Sequence, residues 1–89
     1  MPYQIKYAKK AIKDIPLLKA AHIDETAKRL IDILRENPFQ NPPPFEKLVG
    51  NLKGLYSRRL NIQHRMVYDV REQTKEVLIL SLWNHYDDN

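Results

Sequence analysis

The chain has 89 residues, of which 43% are hydrophobic and 29% charged, with a formal net charge of +4 and no cysteine. This length predicts one small domain spanning residues 1–89, in which folding buries about 60–65% of the surface that the unfolded chain exposes. The lack of cysteine excludes disulfides and thiolate zinc sites, no apolar run reaches the roughly 18 residues of a membrane span, and the start carries no signal-peptide pattern, so we expect a cytoplasmic protein with no membrane partner.

The first part of the chain predicts a strand followed by two helices. Apolar and polar residues alternate over 3–7, which is typical of a half-buried strand. A helical pattern follows at 8–21, where the ring of Pro16 predicts a kink or a restart. A second helix, for which Asp24 suits the N-cap position, ends at 37–38. The two helices should pair as a hairpin.

The second part of the chain predicts an ordered loop and then a small sheet. Four prolines fall within 37–44, too many for a helix or a strand interior, so this arm is expected to deliver Glu46. After Gly54 the period becomes two, which predicts three strands, at 55–60, 64–70 and 77–83. Short connections make these strands an antiparallel meander. The predicted fold class is α+β, with the helices packed on one face of the sheet.

Positive charge is concentrated in the stretch 47–68, which contains no acidic residue. Its cationic residues are Lys47, Lys53, Arg58, Arg59 and Arg65. A patch of one sign on a small domain attracts a polyanion. A solvated strand face that only aids solubility would have the same composition, so charge alone leaves both readings open.

The hairpin between the first two meander strands brings two arginines together in either register. A three-residue turn sets Arg59 opposite Arg65, whereas a turn of two or four residues sets Arg58 there. Like charges paired across strands cost up to about 1 kcal/mol, which suggests an anion held by both guanidinium groups. The alternative is that both side chains extend into water.

Several motifs together resemble the YoeB/Txe toxins of the RelE/ParE superfamily. They lie at 37–48, at 52–59 with its Ser-Arg-Arg ending, and at 64–68 with the letters His-Arg-Met-Val-Tyr. The terminal stretch 83–86, Trp-Asn-His-Tyr, is similar to the His-Tyr ending of the same family. Matching features cover essentially the whole chain, and their combination is far more specific than any single motif.

The resemblance implies the toxin of a bacterial toxin–antitoxin pair, an endoribonuclease that cuts messenger RNA in the A site of the 70S ribosome. It implies that Glu46 acts as general base, that Arg65 stabilises the phosphate, and that His85 and Tyr86 complete the site. It further implies a homodimer held inactive by a cognate antitoxin. Operator DNA would be a partner only through the antitoxin complex.

The same residues suit RNA cleavage without a metal or other cofactor. A base must take the proton of the 2′-hydroxyl, an acid must protonate the leaving 5′-oxygen, and cations must stabilise the phosphorane. Glu46, His85 and Arg65 fit these roles in that order, and the expected products are a 2′,3′-cyclic phosphate and a 5′-hydroxyl. Tyr86 could contact the phosphate or stack on a base, or it could simply cover the sheet edge.

A second group of residues is expected to contact RNA or the ribosome around this site. These residues are Lys47, Lys53, Arg58, Arg59 and His64. For His64 the sequence allows two interpretations, an RNA contact or a strand residue packed beside Tyr68.

Two other functions are compatible with the sequence. One is a ParE-like inhibitor of DNA gyrase, which would not need Glu46 together with His85 and Tyr86. The other is a non-catalytic module whose basic face binds only an antitoxin, or DNA as part of the antitoxin complex. In each case the expected antitoxin contact is an acidic or amphipathic segment that folds on binding.

Overall fold

A computed structural model describes residues 2–85 of the chain. The helices and strands of this part, in chain order, are β1 Gln4–Tyr7, α1 Lys9–Ala20, α2 Asp24–Glu36, β2 Glu46–Lys47, β3 Tyr56–Arg59, β4 His64–Arg71 and β5 Glu76–His85, with a 3₁₀ turn at Gly50–Leu52. None of the helices in this part of the chain has the length and apolar character needed to cross a bilayer.

The strands form one five-stranded sheet in the order β1-β5-β4-β3-β2. β1 runs parallel to β5, and the other neighbours are antiparallel. The α+β class and the meander predicted from the sequence are therefore confirmed. The additional strand is β2, whose two residues pair with β3; a strand so short shows no period in a sequence.

The two helices pack on one face of the sheet and enclose the core. The most deeply buried apolar residues are Ala11, Leu18, Ala27, Leu34, Met66, Tyr68, Val77, Ile79 and Leu82. α1 continues through Pro16 without the predicted restart. Asp24 is the first residue of α2, and Ile23 occupies the N-cap without a side-chain hydrogen bond, so the predicted capping role of Asp24 is wrong.

An irregularity in β5 sets the position of the chain end. Arg65 pairs with Asn84 and Val67 pairs with Ser81, so β5 has one more residue than β4 between these two pairs. Within this bulge, the backbone N–H of Leu82 donates to Oδ2 of Asp14 on α1 at 3.0 Å. A buried carboxylate on a helix therefore satisfies the donor that the bulge leaves without a strand partner.

Candidate functional site

One pocket, of about 410 Å³, contains both Glu46 and Arg65. The chain from 46 to 52 forms most of its wall, and Arg65 on β4 completes it. Glu46 lies opposite Ser57 in the β2–β3 register, and Arg59 lies opposite Arg65 in the β3–β4 register. Because alternate residues of a strand share a face, Glu46, Arg59 and Arg65 project from the same face of the sheet.

This face is the one turned away from the helices. Met66 and Tyr68 belong to the core beneath the helices, and Arg65 alternates with them along β4. Arg65 is nevertheless only 4% exposed, whereas Glu46 is exposed. The pocket therefore combines a carboxylate open to solvent with a largely enclosed guanidinium group, an arrangement that can hold an anion beside a base.

The Arg59–Arg65 register follows from a three-residue turn at 61–63, one of the two registers that the sequence allowed. Arg59 is exposed, and its Nη1 donates to the carbonyl of Ile62 at 3.4 Å. Arg58 lies opposite Met66 instead, on the helix side of the sheet.

Arg58 does not lie on the RNA-facing surface that the sequence predicted for it. Its side chain is 1% exposed, and its guanidinium donates to the carbonyls of Pro43 at 2.6 Å, Gln40 at 2.9 Å and Pro38 at 3.1 Å. The guanidinium also lies 5.1 Å from the ring centre of Phe45. The predicted RNA contact is therefore wrong for this residue, because alternation along β3 turns it inward. Its role is to hold the proline-rich arm.

The arm has further contacts that fix its position ahead of Glu46. The Tyr68 hydroxyl donates to the Pro38 carbonyl at 3.2 Å, and Phe39 packs edge-on to Tyr56 at 5.3 Å between ring centres. Burial raises the pKa of Tyr68, while the nearby Arg58 cation acts in the opposite sense. This phenol therefore remains a neutral donor. The predicted loop at 37–44 is confirmed, and its ordered path leads directly into β2.

His64 is also placed differently from the predicted RNA contact. It is 5% exposed and stacks on Trp83, with 3.8 Å between ring centres and 20° between planes. Its Nε2 lies 3.2 Å from Nε2 of His85, and its Nδ1 lies 3.2 Å from Oδ1 of Asn61. Burial, and to a lesser extent the His85 charge, lowers the pKa of His64. His64 is therefore a packed strand residue, and its stacking neighbour is Trp83 where the sequence suggested Tyr68.

His85 lies one position along the β4–β5 ladder from the pair formed by Arg65 and Asn84, but it does not line the pocket of Glu46 and Arg65. His64 pairs with His85, and the following pair is Arg65 with Asn84. Successive residues of a strand project to opposite faces, so the imidazole pair and Arg65 lie on opposite sides of the sheet at its end. His85 is exposed. Tyr86, the other predicted terminal site residue, lies outside the described residues.

Two of the predicted surface lysines are exposed beside the pocket. Lys47 lines the Glu46–Arg65 pocket, and both Lys47 and Lys53 line an adjoining recess. Over residues 2–85, no three His, Cys, Asp or Glu side chains converge as a metal-binding group.

Sequence reasoning missed Asn61, Asp14 and Trp83 as residues that support the site. Asn61 is in a turn, where its side chain commonly bonds the backbone two residues ahead. Asp14 interrupts the apolar face of α1, at a spacing that could have marked it as a buried acid. Trp83 stacks on His64, which in turn meets His85.

Known proteins share both the sequence pattern and the fold. Residues 7–86 match the sequence model of a family described as the YoeB-like toxin of bacterial type II toxin–antitoxin systems. The chain is 39% identical over 57 residues to Toxin YoeB of Synechocystis sp., and the matched stretch spans 64% of each protein, just under two thirds.

Solved structures agree with this assignment. The YoeB/ParE toxin from Agrobacterium tumefaciens superposes with a TM-score of 0.82 at 25% identity, over 93% of this chain and 99% of that one. YoeB from Staphylococcus aureus is 29% identical over 97% of this chain and 100% of its own, with TM-scores of 0.78 for the dimer and 0.76 for the YoeB-YefM complex. The chain belongs to the YoeB-like toxins of bacterial type II toxin–antitoxin systems.

Proposed function

We propose that this toxin is a ribosome-dependent endoribonuclease that cuts messenger RNA in the A site. The observation that carries the proposal is the single pocket shared by Glu46 and Arg65 on the face that also bears Arg59. A general base beside phosphate-binding guanidinium groups is the minimum that cleavage through the 2′-hydroxyl requires. A gyrase inhibitor has no need for this combination.

In the proposed reaction, Glu46 takes the proton of the 2′-hydroxyl as its oxygen attacks the adjacent phosphorus. Arg65, aided by Arg59, stabilises the negative charge of the phosphorane. The bond from phosphorus to the 5′-oxygen then breaks, and His85 gives its proton to that oxygen. The products are a 2′,3′-cyclic phosphate and a 5′-hydroxyl. Tyr86 is proposed to contact the phosphate or the neighbouring base.

The His85 side chain must reach the phosphate around the end of the sheet. It belongs to the last described residue pair of the β4–β5 ladder, and it is exposed. An RNA strand lying across this end would contact Arg65 on one side and His85 on the other. Lys47 and Lys53 would hold the flanking phosphates.

The ribosome enters the proposal because the toxin is small and its carboxylate is exposed. Positioning of the message relative to the pocket can account for several kcal/mol of the barrier, on the order of 7–11 kcal/mol for ideal alignment. We infer that the ribosome supplies this alignment. The cognate antitoxin and a second copy of the chain are the proposed protein partners, by analogy with the similar S. aureus toxin.

The experiment is an in vitro translation reaction followed by mapping of message ends. We expect defined cuts with 2′,3′-cyclic phosphate ends, lost in Glu46→Gln and Arg65→Ala. The control is Glu25→Gln, which changes an exposed glutamate at the start of α2 and should leave cutting unchanged. Equal cutting of non-translating message would remove the ribosome from the mechanism. Intact message together with blocked DNA supercoiling would replace the proposal with gyrase inhibition.

A further inference from the structure

The turn before β4 fixes the orientation of one amide. Oδ1 of Asn61 accepts hydrogen bonds from the backbone N–H of Gln63 at 2.8 Å and of His64 at 2.7 Å. An amide nitrogen cannot accept two N–H donors, so the atom facing them is the oxygen. The same oxygen lies 3.2 Å from Nδ1 of His64. The proton of a neutral His64 ring must therefore be on Nδ1.

This assignment determines the direction of the bond between the two histidines. With its proton on Nδ1, neutral His64 presents a lone pair at Nε2. Nε2 of His85 lies 3.2 Å from that atom, and two lone pairs at this distance would repel. His85 must therefore donate from its own Nε2.

The neighbouring side chains hold this arrangement in place. His64 is enclosed, stacked flat on Trp83, and meets His85 edge-on, with 4.4 Å between ring centres and 85° between planes. His85 remains exposed. With Nε2 engaged by His64, the atom of His85 left for a substrate is Nδ1.

We propose that His64 is a positioning residue, a neutral imidazole whose Nε2 lone pair holds His85 by its Nε2–H and leaves Nδ1–H as the acid that protonates the leaving 5′-oxygen. The catalytic part of this inference rests on the proposed ribonuclease function. The hydrogen-bond pattern itself does not, because it follows from the contacts of Asn61, His64 and His85.

The surroundings of His64 and His85 favour one positive charge on this pair over two. Burial lowers the pKa of His64, and a charged His85 lowers it further. The charged side chains nearest to His64 along the chain are Arg59, whose guanidinium reaches the Ile62 carbonyl, and Arg65, the next residue of β4. The strands also carry Asp69, Arg71 and Glu76 toward their other end, and Asp14 of α1 contacts the Leu82 N–H of β5. When His85 is protonated, its bond to His64 becomes charge-assisted and stronger.

Two substitutions of His64 distinguish its role as hydrogen-bond acceptor at Nε2 from its packing against Trp83. His64→Gln keeps a side-chain oxygen near the position of Nε2, whereas His64→Phe keeps a flat ring against Trp83 and removes both nitrogens. Nitrogen-15 NMR of the imidazole groups should show neutral His85 protonated at Nε2 in the unaltered protein and in His64→Gln. In His64→Phe this tautomer preference should disappear.

Kinetics of message cleavage give the second readout. In His64→Phe we expect kcat to fall by about 10-fold to 100-fold, below the full contribution of a general acid, with KM for the programmed ribosome unchanged. His64→Gln should recover most of the rate.

The outcomes distinguish this inference from the proposed function. Neutral His85 protonated at Nδ1 in the unaltered protein would overturn the inference without any variant, and so would a His64→Phe protein that cuts at the normal kcat. Predicted NMR changes in a protein that cuts no message would retain the positioning role and reject the ribonuclease.

Discussion

Arg58 and Arg59 are adjacent on β3 but project from opposite faces of the sheet. Arg58 is enclosed, with three carbonyl acceptors on the proline-rich arm, while Arg59 is exposed on the face of the pocket. Burying a cation is costly unless hydrogen bonds offset the loss of water, and the two terminal nitrogens of Arg58 make three such bonds, although its Nε makes none. The first arginine therefore contributes to the stability of the arm that leads to Glu46, and the second lies on the same face as Glu46 and Arg65.

Arg58→Lys should destabilise the protein by about 2–4 kcal/mol, since a lysine ammonium lacks the planar fork that reaches all three carbonyls. Arg59→Lys, the matched control on the opposite face, should change the free energy of unfolding by no more than about 0.5 kcal/mol. Urea unfolding at a fixed protein concentration measures both. Equal effects of the two substitutions would contradict the clamping role of Arg58.

At the scale of elements, the position of the chain end depends on a contact between α1 and the bulge of β5. Asp14 is 3% exposed, and its carboxylate accepts from the Leu82 N–H and from Nζ of Lys10. Lys10 is on the surface, so this ion pair contributes little by itself. The bond to Leu82 is the important one, because it fixes the bulge that contains Leu82 and Trp83 and precedes His85.

Asp14→Ala should lower the free energy of unfolding by about 2–3 kcal/mol, because it leaves the buried Leu82 N–H without an acceptor. Asp14→Asn retains an oxygen acceptor and should cost about 1 kcal/mol. Asp32→Ala removes an exposed carboxylate paired with Arg35 and serves as the control, with an effect below about 0.5 kcal/mol. Hydrogen exchange should show loss of protection at the Leu82 amide in Asp14→Ala alone; unchanged protection would contradict the capping role.

The elements that the sequence predicted well are those with a clear period. The three meander strands alternate over enough residues to be recognised, and so does the amphipathic face of α2. β2 is too short to show alternation, and the β5 bulge breaks it. The surface position predicted for Arg58 is wrong because it rested on the charge of the residue alone. Arg58 lies two residues after Tyr56 on β3 and shares its face of the sheet, and the Tyr56 ring packs against the core.

The candidate site was predictable only in part. Glu46 and Arg65 could be identified from motifs, and the structure brings them into one pocket. The position of His64 depends on its contacts with Asn61, Trp83 and His85 together, which lie up to 21 positions away in the sequence and which no local pattern reports. The burial of His64 could therefore be recognised only from the tertiary structure.

At the scale of the whole molecule, the two faces of the sheet differ in composition and burial. The helices cover one face and contribute the core, whereas the other face bears Glu46, Arg59 and Arg65. Lys47 and Lys53 extend the positive charge from this pocket along the sheet edge. The lysines of α1 are exposed on the helix side instead. If the proposed function is correct, the affinity for the ribosome should depend on where the positive charges lie and not only on the net charge.

Replacing Lys47 and Lys53 together by glutamine lowers the formal net charge from +4 by two, to +2, and so does replacing Lys9 and Lys13 on α1. In a Glu46→Gln background that prevents cutting, the first pair should weaken ribosome binding by about tenfold at low salt and reduce the salt slope by about 1–2, since each lost phosphate contact reduces the slope by about 1. The second pair should leave both nearly unchanged. Binding measured from about 50 to about 200 mM salt provides the comparison. Equal losses for the two pairs would mean that net charge alone attracts the ribosome, and the basic edge beside the pocket would then have no specific role in docking.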